Sequence, residues 1–402
     1  MANASTHGAG RHGWLNPARA MFGQCPPQNS FDLHTTMNML NSSVAPELGA
    51  VPSAQVADCL RSKALQWDTV NDAAPQVLPE LASLGLLGVG IPVSEGGQGG
   101  DVRDSSRAIT EVASRSLTAA FVLWGQMAFI DYLRHSDNSA LQSRLLKRLL
   151  KGELAGAVGL SNVMKFLSQL EGLNVQARDL GNRWQLDGFM PWVSNVRPEG
   201  FVVAVAAQTS AGQAPMVFAI ESTVQGVHRS ADLDLLGMRA SNTAAIHLSA
   251  VELGHEAVLA HKGPPFLKAM RPRFLGMQCC LSLGLARASI GASRSEGRHL
   301  PQTLDERLTR LETALNKEEI TLREGMIQTI WETHVEPLFQ LRVRMAQYVR
   351  EAMDLELQVS GGRGYLLDQR PNFARRWRES AFIPIITPSL LQLEEEMARS
   401  RR

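Results

Sequence analysis

The spacing of apolar residues changes twice along the chain, and this constrains the fold more than any other feature. Over about residues 50 to 154 apolar side chains recur every three or four positions, as in Val77, Leu78, Leu81, Leu84 and Leu86 and again in Ile109, Val112, Leu117, Phe121 and Leu123. That is the period of helices with one buried face. From about 155 to 256 the pattern becomes short runs: Leu173 to Ala177, Trp184 to Leu186, Phe201 to Ala207, Met216 to Ile220 and Ala245 to Val251. Gly, Asn, Asp and Pro separate them, as in a small antiparallel barrel or sandwich. From about 257 to 402 the helical period returns. Leu338, Leu341, Met345, Tyr348, Ala352, Leu355 and Val359 step by three and four and give one apolar face over about six turns. Leu308 to Ile330 is similar but more charged. The expectation is an α+β, multi-domain chain: a flexible segment at 1–49, an N-terminal all-α domain at 50–154, a middle β domain at 155–256, and a C-terminal four-helix bundle at 257–402.

Composition excludes several classes. Hydrophobic residues make up 44% of 402 residues, ample for a sizeable core, and the net charge of +1 argues against a nucleic-acid binder. Cys25, Cys59, Cys279 and Cys280 form no CxxC pair, and the adjacent Cys279 and Cys280 in an apolar helical run predict core packing. No apolar run approaches the roughly 18 residues of a membrane span, so no membrane partner is expected and the default setting is cytoplasmic. Residues 1–31 carry no acid and include Arg11 and Arg19, which suits a flexible tail or a transit peptide. No His, Cys, Asp or Glu spacing suggests a metal site.

Residues Gly188 to Asn195 read Gly-Phe-Met-Pro-Trp-Val-Ser-Asn. Trp184 to Gly188 predicts a short strand and a turn, with Phe201 to Ala207 as the hairpin's second strand. Trp192 and Ser194, two apart, point to the same side of a strand. A flat isoalloxazine needs such a pair, an aromatic wall on one face and a donor near its edge nitrogen, although a Trp on a half-buried strand is also ordinary core. The Gly-rich loop Gly88 to Asp101 lacks the Lys-Ser/Thr ending of a phosphate loop. It reads as a connector whose glycines permit positive φ, with Glu95 in reach of a pocket mouth.

These segments occur in a recognisable order. Leu84-Gly85-Leu86-Leu87-Gly88 with Ile91-Pro92 to Gly100, Ala157 to Asn162 (AVGLSN), Gly188 to Asn195, Leu236 to Thr243 (LGMRASNT), Gln358 to Tyr365 (QVSGGRGY) and Arg376 to Ser389 together resemble the acyl-CoA dehydrogenase superfamily over about residues 60 to 395. The resemblance implies FAD bound between the β domain and the C-terminal bundle. It implies a homodimer or homotetramer whose GG.GY turn reaches a neighbour's cofactor, a small-molecule acyl substrate, and an electron-transfer flavoprotein as a possible redox partner. Carried over by position, Trp192 shields the flavin face and Ser194 donates to the N5 edge. Leu160 and Ser161 contact the pyrimidine end, and Gly361, Gly362 and Gly364 let backbone approach the nucleotide.

The sequence also departs from that pattern. The family removes the α-proton of a thioester with a carboxylate general base, most often in a terminal "yEGT" motif. Counting from Arg378-Glu379, that slot falls at Thr387; the alternative slot, early in the first helix of the C-terminal domain, falls near Met270. Neither is a base. The "R..FG" segment has no clear counterpart, leaving Arg294 or Arg298 as substitutes or as solvated surface residues. Glu379 is expected to pair with Arg375 or Arg376, Glu394 to Glu396 to form a solvated helix face, and His247 to be a satisfied surface or core residue. Three functions stay open: an FAD-dependent acyl-CoA dehydrogenase-like oxidoreductase acting on CH–CH groups of an acyl thioester, a flavin monooxygenase or oxidase on the same fold, and a catalytically silent flavin- or acyl-binding paralogue.

Overall fold

A computed structural model describes residues 54–209, 213–296, 300–328 and 330–401. The expectations for residues 1–49, Cys25 and Arg298 lie outside the described residues. Among the described residues the N-terminal region has five α-helices: α1 (Ala54–Thr69), α2 (Ala74–Ser83), α3 (Val102–Ala113), α4 (Leu117–Arg134) and α5 (Ser139–Leu150). Asp101 and Asp104 close a capping box at the start of α3, and the Ser116 hydroxyl accepts from Ala119 N at the start of α4. Helix α4 is apolar all round, and every residue from Leu117 to Leu133 is buried, which makes it the core element on which the other helices pack. The Gly-rich connector before α3 uses its glycines for conformation. Gly90 has φ +79°, and a Cβ there would lie 2.0 Å from Ser105 Oγ. Glu95 is held by Arg134, whose Nη2 donates at 2.9 Å.

The middle region forms two four-stranded sheets. One is ordered β1 (Ala155–Val158), β4 (Phe201–Ala207), β5 (Met216–Glu221), β8 (Val258–Ala260), and the other β2 (Val175–Asp179), β3 (Trp184–Val193), β7 (Ala244–Leu253), β6 (Val227–Arg229). The expected hairpin between β3 and β4 does not form: β3 pairs with β2 and β7, while β4 pairs with β1 and β5. The burial patterns explain this. β4 is buried at all seven residues and needs cover on both faces, whereas β3 alternates and has one wet face. Nor is Gly188 a turn. It sits inside β3 where the register with β7 slips, and a Cβ there would lie 2.5 Å from Asn174 O. β1 runs parallel to β4, which the long excursion through helix α6 (Ser161–Leu167) and the second sheet permits.

The C-terminal region is built on α7 (Gly263–Arg294), α8 (Gln302–Ile327) and α10 (Glu336–Ser360). A short α9 (Ile330–Thr333) precedes α10, and α11 (Pro371–Phe382) and α12 (Leu390–Ser400) follow it. Helix α7 is long and apolar enough to cross a membrane by length and composition, contrary to the sequence expectation, but 83% of its apolar window is buried inside the fold. Cys279 and Cys280 sit in it fully buried, and burial pushes their thiols up to about 12 and about 11, as core packing requires. The apolar stripe of α10 buries Leu338, Leu341, Met345, Ala352 and Leu355. The run Glu394 to Glu396 is not uniformly solvated. Glu396 takes two hydrogen bonds from Arg271, at 2.8 and 2.7 Å, and one from Ser168 Oγ at 2.7 Å, because its position on α12 turns inward to α7 and α6. Arg294 is likewise engaged, donating to Thr309 at 2.9 Å and Glu312 at 3.0 Å.

Candidate functional site

The end of β3 presents the two residues singled out by sequence. Val193 is fully buried while Trp192 is 61% exposed, an unusual position for a large aromatic unless its ring is a contact surface. Ser194 follows in the bend. Its Oγ lies 2.8 Å from Thr243 Oγ1, which lies 2.7 Å from Ser241 Oγ. The hydroxyls form a relay in which Thr243 fixes Ser194: when Ser194 accepts from Thr243, its own proton is left free to turn outward.

A buried polar knot holds this bend. Asn195 adopts φ +61°, a conformation asparagine tolerates, and is fully buried. Its Nδ2 donates to Gln126 Oε1 and Gly156 O, both at 2.9 Å. Gln126 Oε1 also accepts from Gly156 N at 2.6 Å, and its Nε2 donates to Leu149 O and Leu154 O. One amide on α4 thus joins the helical domain, β1 and the end of β3. Gly156 makes this approach possible, since a Cβ there would lie 2.9 Å from Phe129 Cβ. Beyond β1, Gly159 packs on Met190 of β3, where a Cβ would meet Sδ at 2.6 Å. That brings Leu160 and Ser161 beside the Trp192 strand. Leu160 is 2% exposed, while Ser161 is half-buried at the first position of α6.

The Leu236 to Thr243 loop is anchored from below. Met238 N donates to Asp68 Oδ1 at 2.8 Å, and Asn242 Nδ2 donates to Ala74 O at 2.9 Å. Asp68, fully buried on α1, is paired with Arg378 of α11 at 2.6 Å. One turn back on α11, Arg375 pairs with the fully buried Glu379, which also accepts from Leu117 N at 3.0 Å. Burial is the largest influence on Glu379 and raises its pKa; Arg375 opposes this and Asp68 adds to it. Glu379 therefore cements α11 to α4, as expected, and offers no free base.

Thr387 is half-buried in the turn between α11 and α12. Its carbonyl accepts from Gln278 Nε2 at 2.9 Å, and Gln278 Oε1 accepts from Arg342 Nε at 2.8 Å. Arg342 is fully buried, pairs with no carboxylate among the described residues, and also donates to Ile383 O. Burial lowers its pKa. Met270, the other slot, is 6% exposed in α7. Next to this turn Phe382 meets Phe121 edge-on at 5.0 Å, Phe121 stacks on Trp124 at 5.4 Å, and Trp124 lies 4.7 Å from Phe274, a continuous aromatic wall.

Gly361, Gly362 and Gly364 form a 3-10 turn after α10. Gly361 has φ +58°, and nothing lies within 4 Å of a Cβ built on Gly361 or Gly362, whereas Gly364 is packed on Leu357 and Ser360. Neither this turn nor Thr387 is hydrogen-bonded to Trp192, Ser194, Leu160 or Ser161. Gln126, Asp68, Gln278 and Arg342 were missed by sequence reading. Gln126 was visible as a lone amide in an apolar helix and Arg342 as a charge in an apolar stripe; the partners of the others are distant in sequence.

Residues 52–153 match the family described as acyl-CoA dehydrogenase, N-terminal domain. Mitochondrial isovaleryl-CoA dehydrogenase of Pongo abelii is 29% identical over 190 residues, 46% of this chain and 44% of that protein. Rat mitochondrial short-chain specific acyl-CoA dehydrogenase (Rattus norvegicus) is 23% identical over 321 residues, 76% of this chain and 77% of that one. The first two relatives are matched over about half their length or less. Among solved structures, a glutaryl-coenzyme A dehydrogenase in complex with glutaryl-CoA superposes with a TM-score of 0.75 at 19% identity, covering 92% of this chain and 96% of that one. The succession of helical domain, paired sheets and helical bundle is similar in fold to that glutaryl-coenzyme A dehydrogenase structure, and residues 52–153 carry the match to the acyl-CoA dehydrogenase N-terminal domain.

Proposed function

We propose that this chain is an FAD-dependent, acyl-CoA dehydrogenase-like oxidoreductase acting on CH–CH groups of an acyl thioester or related substrate. The observation that carries the reading is the exposed Trp192 beside the Ser194–Thr243–Ser241 relay at the end of a rigidly held strand. The residues fit FAD: an uncovered aromatic face, a hydroxyl free to donate at its edge, and glycines at 361 and 362 with open space above them. Trp192 and Ser194 would hold the ring, the backbone at Leu160 and Ser161 its polar end, and Gly361, Gly362 and Gly364 a neighbour's nucleotide. When bound, the flavin supplies the hydride acceptor. The chain's own part is to orient the ring, exclude water with the Phe121–Trp124–Phe274 wall, and place Thr387 where the resemblance expects a carboxylate. A homodimer or homotetramer and an electron-transfer flavoprotein partner belong to the same reading.

A second reading, a flavin oxidase or monooxygenase, is favoured by one observation: the Thr387 turn and the Met270 position hold no carboxylate. An anaerobic visible spectrum of the purified protein, before and after a panel of acyl-CoAs, separates the two. Bleaching of flavin bands is the expected result. Bands that stay oxidised move the assignment to the oxygen-using reading, and absence of flavin bands removes both.

A further inference from the structure

A cavity of about 470 Å³ opens between α1, α3, α7 and α11, on residues that include none of those at the Trp192 or Thr387 sites. Its lining carries five arginines, Arg61, Arg115, Arg287, Arg375 and Arg376, against one carboxylate, Glu111. The acids that neutralise two of these arginines lie behind them. Glu379 and Glu356, which pair with Arg375 and Arg376, are fully or almost fully buried and do not line the cavity; Asp58 and Glu319, which pair with Arg61 and Arg287, do not line it either.

Several of the arginine donors are unspent. Arg375 is 3% exposed and gives Nη1 to both oxygens of Glu379, but its Nε is buried with no partner. Arg115 is bound through Nη1 to Ser114 Oγ and only loosely to Glu111, at 3.9 Å, and its Nε is also buried without a partner. A buried donor left unpaired is costly, and guanidinium groups match phosphate geometry better than any other side chain. Asn372, in the first turn of α11, adds a neutral donor and the positive end of that helix. The volume exceeds that of a single phosphate and falls within the range of small-molecule sites.

We infer that this cleft binds a phosphate monoester carrying a group of up to about nucleoside size. The inference stands independently of the flavin assignment. Calorimetric titration of the purified protein, run with and without added FAD, with AMP, inorganic phosphate and adenosine tests it. AMP is expected to bind saturably with a Kd below about 1 mM, to weaken as salt is raised, and to outcompete adenosine, which lacks the anion. Tighter binding of AMP than of inorganic phosphate identifies a nucleoside phosphate as the ligand class; equal binding identifies phosphate itself. The R61Q/R115Q variant should bind at least about tenfold more weakly. Arg61 is exposed on α1 and pairs with the also exposed Asp58 of the same helix at 2.7 Å, so R61Q is expected to keep the fold and still weaken binding measurably. No saturable heat from AMP or phosphate up to about 10 mM, adenosine binding as well as AMP, or unchanged affinity in both variants overturns the proposal.

Discussion

Replacing Asp68 tests whether the loop behind Ser194 is held by a single buried carboxylate. Asp68 is fully buried, accepts from Met238 N at 2.8 Å, and pairs with Arg378 at 2.6 Å. Asp68→Asn keeps an acceptor for Met238 but removes the charge facing Arg378. Breaking a buried pair costs about 3–5 kcal/mol. The lower end applies, because the Arg378 side chain is 23% exposed and can regain water, and because the repulsion that Asp68 exerts on Glu379 is relieved. Asp68→Ala loses the same pair and strands the Met238 N–H, adding about 1–3 kcal/mol. The expected losses are about 3 kcal/mol for the Asn variant and about 4–6 kcal/mol for the Ala variant, read by urea denaturation followed through tryptophan fluorescence. Thr243 lies on the same loop and fixes Ser194, so both variants should also release flavin more readily on dilution. Losses under about 1 kcal/mol for both, or equal losses for Ala and Asn, would refute the reasoning.

Three further outcomes are expected. Burial pushes the Glu396 carboxyl up, but the Arg271 and Ser168 hydrogen bonds and the Arg271 charge outweigh it and hold its pKa below the usual carboxylate value. Its stabilisation is therefore complete above the unfolded value of about 4.3 and is lost as pH falls through the lower folded value; Glu396→Gln should flatten the melting temperature between about pH 2 and 5, and identical profiles for the two proteins would sink the assignment. Gly284→Ala should lower stability by about 1–3 kcal/mol, since the added Cβ would sit 2.3 Å from Thr110 O and 2.5 Å from Ala113 Cβ; an unchanged melting temperature would show that α7 and α3 can part freely. Thr387→Glu should accelerate anaerobic flavin bleaching by acyl-CoA about a hundredfold, and a rate no higher than that of the unaltered protein would mean the turn does not face the substrate.

The sequence by itself determined the order of the layers. Periodicity is a local property, and the stripe through Leu338, Leu341, Met345, Ala352 and Leu355 faces inward as its spacing required. Trp192 and Ser194 were also singled out, but Ser194 lies in the bend just beyond β3, where strand alternation no longer fixes its side. Tertiary structure alone decided which strands pair. β3 and β4 are neighbours in sequence yet lie in different sheets, since the fully apolar β4 needs cover on both faces. It also decided how the candidate site is held. Gln126, Asp68 and Arg342 work through partners 69, 170 and 64 residues away, and no local pattern encodes such a bond. The fate of Glu396 makes the same point: within a run of three identical residues, only the position that turns toward Arg271 becomes an ion pair. Spacing along a helix settles which face a residue occupies, whereas only the packing of another element against that face settles what it meets.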